Sequence, residues 1–246
     1  MVPEKLINDF VTRLRQAAGA NLESIVLYGS AASGDYDPEL SNLNLLYVLK
    51  DAGYASLRSV SAVMEWWYGK KQVAPLIMSK KELLRSADVF SIELMDMKQH
   101  YRILFGEDIL APLTLRLDQH RIQLEYELRE KLLLLRQSLL LAASSQSRLW
   151  DVLLGSVASF TTLFRHALIA LGDSAPESKR DSVEQLGQRL NCETSVFLKV
   201  LDVREHKLER KQVNVQEITA QYLTVVEQVT AAVDRMLGTA ATPGRS

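Results

Sequence analysis

Apolar residues along this chain recur with two different periods, and the change between them divides it. Near the start, Leu6, Ile7, Phe10, Val11 and Leu14 fall at the spacing that puts side chains on one face of a helix. Pro3 suits a first helical turn and Gly19 with Asn21 suits a stop, so the pattern predicts a helix over residues 3–18. Ile25 to Tyr28 and Leu43 to Leu49 are short, unbroken apolar runs that predict buried strands. Between them Gly34, Asp35, Asp37, Pro38, Glu39 and Ser41 read as loop and turn residues. Helical spacing returns over residues 51–69 through Leu57, Val60, Val63, Met64 and Trp67. Val73 to Met78 predicts a third strand, with Pro75 tolerable only at an edge or bulge. Ser79 and Glu82 have capping-box spacing for a short helix reaching Ala87.

Beyond Thr114 strand signals fade. Helices are predicted over residues 114–143, 148–171, 177–190, 194–207 and 215–237, with short links that favour an antiparallel bundle. The fold class expected is therefore an α/β (α+β) domain with a small mixed sheet over residues 1–112. An all-α helical bundle over residues 113–238 and a flexible tail over residues 239–246 follow it.

The chemistry concentrates in residues 22–49. An apolar strand runs into Gly29-Ser30, a turn-rich loop follows, and Ser41-Asn42-Leu43-Asn44 opens the next strand. This arrangement resembles the nucleotidyltransferase superfamily that includes DNA polymerase beta and the kanamycin and streptomycin nucleotidyltransferases. The family pattern is strand, Gly-Ser, about ten residues, then Asp-apolar-Asp. The resemblance implies that Gly29, Ser30 and Ser41 face a nucleoside triphosphate, and that Asn42 and Asn44 hold the two metal-ligand positions. Ala31 and Gly34 also fit, and the Leu-Phe-Gly-Glu-Asp-Ile-Leu segment at 104–110 is similar to the one ending the catalytic domain in small bacterial transferases.

Alternate residues of a strand point to one face, so paired acids there can hold Mg²⁺ against phosphate oxygens. Asparagine keeps the shape and a carbonyl oxygen but carries no charge. A third family carboxylate, implied on a later strand, has no counterpart in Val73-Ala-Pro-Leu-Ile-Met. The resemblance therefore implies a degenerate nucleotidyltransferase that binds a nucleotide triphosphate or a partner. Magnesium would be a cofactor only if acids elsewhere replace the pair.

Candidates for such replacement are Asp35, Asp37, Glu93 and Asp96; Glu93 and Asp96 share a face if their stretch is helical. That alternative is an active transferase moving a nucleoside monophosphate to a small-molecule or protein hydroxyl. The simpler role for Glu93 and Asp96 is a solvated edge or salt bridges to Lys98 or Arg102. A third reading is an interaction module of a toxin–antitoxin-like pair, and the leucine-rich helix at 114–143 makes a homodimer or protein partner possible.

Composition narrows these readings. The net charge is −1, and the two parts either side of residue 112 carry 12 basic against 14 acidic and 17 basic against 16 acidic residues. Neither has the basic excess of a dedicated nucleic-acid surface. Cys192 is the single cysteine, so an intrachain disulfide is excluded. No basic region precedes an apolar run at the N-terminus, and the leucine run 132–141 is interrupted by Arg136 and Gln137. The expectation is a cytoplasmic protein with no membrane partner. The spacing of Arg116 to His120, Arg165 to His166 and Arg204 to His206 misses the Arg-x(4–6)-His pattern of a related helical ribonuclease family. His166 reads as a hydrogen-bonded core residue, and Trp66 and Trp67 as core aromatics rather than a base-stacking platform.

Overall fold

The computed structural model describes residues 2–34, 36, 38 and 41–240, with the backbone alone at 88 and 236–240. The chain divides into two compact units, 1–116 and 117–246. Leu113, just past Pro112, is buried with the core of the first unit.

The first unit is built on a four-stranded mixed sheet. Its elements are α1 (Glu4–Ala18), β1 (Leu22–Tyr28), α2 (Ser30–Ser33), β2 (Asn44–Leu49), α3 (Tyr54–Gly69), β3 (Leu76–Ser79), α4 (Lys80–Arg85), α5 (Ser91–Gln99) and β4 (Tyr101–Gly106). The strand order is β3-β2-β1-β4. β1 runs antiparallel to both neighbours, and β2 runs parallel to β3.

The unbroken apolar runs of β1 and β2 follow from burial on both faces. Ile25, Leu27, Leu43, Leu45, Tyr47 and Leu49 pack with Ile7, Phe10 and Leu14 of α1 and Val60, Val63 and Trp67 of α3. Val26, Leu46 and Val48 pack on the other face with Leu83, Leu94, Met97, Ile109 and Leu110. Trp67 is buried and donates its indole N–H to the Val73 carbonyl at 2.8 Å, while Tyr68 is exposed. β3 lies at the sheet edge and begins one residue after Pro75, where the missing N–H removes no ladder bond. The Ser79–Glu82 capping box forms as predicted.

β4 is a strand the apolar pattern did not reveal. Its seam with β1 is tight: Gly106 has φ +79°, and a Cβ there would collide with the Glu23 carbonyl oxygen. Buried Ser24 donates its hydroxyl to the carbonyls of Phe105 and Glu107 at 3.2 and 2.8 Å.

The second unit is a helical bundle of α6 (Leu117–Ala142), α7 (Gln146–Ala170), α8 (Lys179–Leu190), α9 (Ser195–Arg204) and α10 (Val215–Ala240). α7 packs against each of the other four. Phe160, Phe164, Phe197 and Tyr222 form its aromatic centre. Phe197 and Tyr222 stack with ring centroids 4.1 Å apart, and the Tyr222 hydroxyl meets that of Ser156 at 3.0 Å. α7 is also long and apolar enough to cross a bilayer by length and composition, with an 18-residue window of mean hydropathy 1.5, half of which is buried. His120 and His166 are both fully buried, with Nε2 and Nδ1 2.8 Å apart. His166 is thus the hydrogen-bonded core residue its apolar surroundings suggested.

Candidate functional site

The C-terminal end of β1 gathers the residues that the sequence singled out. Gly29 leaves the strand at φ +74°, a backbone region that favours glycine. Its N–H donates to the His100 carbonyl at 3.0 Å, which ties the turn to the start of β4. Its own carbonyl accepts from Ala32 and Ser33 and so starts α2. Gly29 is therefore the N-cap of α2, and half-buried Ser30 is the first residue of this four-residue helix.

Across the ladder Tyr28 pairs with Asn44 on one side and Tyr101 on the other. Asn44 lies on the sheet face that carries Leu46 and Val48, by strand alternation. A Cβ at Gly29 would stand 3.1 Å from Asn44 Nδ2, so the bare glycine makes room for that amide. Asn42 is exposed two residues before, and Ser41 is half-buried. Gly29, Ser30 and Asn44 therefore form one cluster. Asp35, Asp37 and Glu39 lie outside the described residues.

α5 covers the same sheet face and brings Glu93 toward the site. The Tyr28 hydroxyl is pushed up to about 12, first by burial and then by the negative charge of Glu93. The two basic residues near this segment have defined contacts. Lys98 donates to the carbonyls of Ala111 and Leu113, and Arg102 pairs with Glu4 at 2.9 Å. Tyr101 donates to Asp108 at 2.8 Å. Among the described residues no group of three or more His, Cys, Asp or Glu side chains could hold a metal ion.

The sequence missed Tyr28 and Tyr101 beside the Gly29 turn and the electrostatic influence of Glu93 on Tyr28. Tyrosine at the last position of an otherwise aliphatic strand is a weak signal, and only the fold brings α5 over it. A surface cleft of about 490 Å³ opens in the other unit beside α8 and α9, lined by Glu184, Gln188, Asn191, Cys192, Glu193 and Thr194. Burial, and then the nearby Glu193, push the Cys192 thiol up, which makes it a poor nucleophile.

The mixed sheet, the Gly-Ser turn at the end of its central β1 strand and the following bundle define a nucleotidyltransferase fold. Among solved structures the chain is similar to the spectinomycin adenyltransferase AAD(9) from Enterococcus faecialis, determined with ATP and spectinomycin. The TM-score is 0.58 and the identity 16%, over 92% of this chain and 98% of that one. No protein-family model and no curated protein matches the sequence.

Proposed function

We propose that this nucleotidyltransferase-fold protein has lost metal-dependent transfer and acts by binding a nucleotide or a partner at the Gly29 turn. The observation that carries the reading is the placement of Asn44, and of Asn42 before it, where β2 starts beside Gly29. Nucleotidyl transfer needs charge stabilisation at the phosphate and at the leaving pyrophosphate. Two neutral amides do not fit a Mg²⁺ site, because that hard cation is held by carboxylates and phosphate oxygens. The neighbouring adenyltransferase was determined with ATP, which makes a nucleoside triphosphate the first ligand to test here. Backbone N–H groups and the Ser30 hydroxyl would face such a ligand without a metal.

The test is calorimetric titration of ATP, GTP, CTP and UTP, with and without Mg²⁺, on the native chain and on the double variant Asn42→Asp/Asn44→Asp. The native chain is expected to bind one triphosphate with an affinity that Mg²⁺ changes less than about threefold. The double variant is expected to gain a Mg²⁺ dependence of tenfold or more, about 1.4 kcal/mol. Metal-dependent transfer of a labelled nucleotide by the native chain would overturn the proposal.

An active enzyme is the second reading, favoured by Glu93, whose charge is felt at Tyr28. It requires Glu93→Gln to abolish the transfer.

A further inference from the structure

α6 is apolar on two opposite faces. One carries His120, Leu124, Leu128, Leu132, Leu135 and Ala142, all buried in the bundle. The other carries Ile122, Tyr126, Leu133 and Leu140, which are 59%, 62%, 58% and 79% exposed. At 100° per residue these four fall within about 40° of one another on the helix, roughly opposite the buried face. Leu134 and Leu141, 52% and 77% exposed, lie about 80–100° further round the helix from the centre of this row. Tyr126, Leu133 and Leu140 repeat every seven residues, as do Leu134 and Leu141. Three residues after Tyr126 and Leu133 come Arg129 and Arg136, so the apolar positions form a single row bordered by arginines.

From this stripe we infer that a second copy of this chain docks on α6, with Leu133 near the centre of the contact. Three features select a copy of the chain. The six side chains expose on the order of 800 Å², about what each partner buries in a standard-size interface. A straight apolar stripe is complementary to itself under a two-fold axis, the commonest symmetry of soluble oligomers. The margin carries charge of neither sign in excess. Arg129 pairs with Glu125 and Asp234, and Arg136 with Glu227, so these arginines are already matched. A nucleic acid or an anionic membrane would call for an unmatched basic margin. The net charge of −1 sets up little repulsion between copies.

The test is sedimentation velocity of the full chain from 1 to 100 µM, beside the variant Leu133→Glu/Leu140→Glu. Both substitutions lie on the solvent side, so circular dichroism should be unchanged. The native chain is expected to sediment as a dimer at the upper concentrations, and the variant as a monomer with dimer affinity reduced a hundredfold or more. In a Cys192→Ser background, Leu133→Cys is expected to give a covalent dimer on mild oxidation, and exposed Ser138→Cys is not. A native chain that stays monomeric at 100 µM overturns the inference. So does a dimer that survives the double substitution, and so does a monomer whose stripe is captured by anionic vesicles.

Discussion

Acidification should destabilise the bundle through the buried imidazole of His120. His120 is fully buried, its Nε2 is shared with His166 Nδ1, and its own Nδ1 has no hydrogen-bond partner. Burial first, and then the charges of His166 and Arg121, hold its pKa down to about 4 from the usual 6.5. Folding therefore favours the neutral ring. The stabilisation is fully present above the unfolded value of 6.5 and is lost as pH falls toward 4. Taking those two values, the bundle loses about 2 kcal/mol between pH 7 and pH 5, and about 3 kcal/mol by pH 4. The assay is urea denaturation followed by far-ultraviolet circular dichroism at half-unit steps from pH 7.5 to 4, on the native chain and on His120→Leu. The variant should lose this part of the slope, and the native His120 ring resonance should not titrate above pH 5. A His120 titration near 6.5, or an equal slope in both proteins, refutes the reasoning.

Two further substitutions test the packing of each unit. Gly106→Ala meets both a positive φ and the Glu23 carbonyl, so it should cost about 2–4 kcal/mol, read as a lower urea midpoint of the sheet unit. Phe197→Ala removes the ring that stacks on Tyr222 and touches Phe160 and Phe164, and should cost about 3–5 kcal/mol by the same measurement on the bundle.

β1 and β2 were legible because helices cover both faces of the sheet, which makes their runs continuously apolar. The bundle helices were legible because each turns an apolar stripe to a shared core. β4 was not. Tyr101-Arg-Ile-Leu-Phe-Gly is half exposed, follows α5 directly, and gains its strand character only from pairing with β1, some eighty residues earlier. In the candidate site, Gly29, Ser30 and Asn44 could be named only through the resemblance of residues 22–49 to the nucleotidyltransferase pattern, which sets a Gly-Ser turn and the start of the next strand at a fixed separation. The influence of Glu93 on Tyr28 could not, because it depends on where α5 crosses the sheet. The same holds for the histidines. His166 could be read as a core residue from its neighbours, but its partner His120 lies 46 positions away on another helix.

The central place of α7 has a consequence for how the protein is made. Its apolar surface is covered in part by α10, which ends at Ala240, seventy residues after α7 ends at Ala170. At roughly 5–20 residues per second, ribosomes need several seconds to complete that distance. During this interval the nascent chain presents a helix with an 18-residue window of mean hydropathy 1.5 without its full complement of partners. Ribosome-bound chaperones should therefore hold chains arrested near residue 200 and release those extended past Ala240.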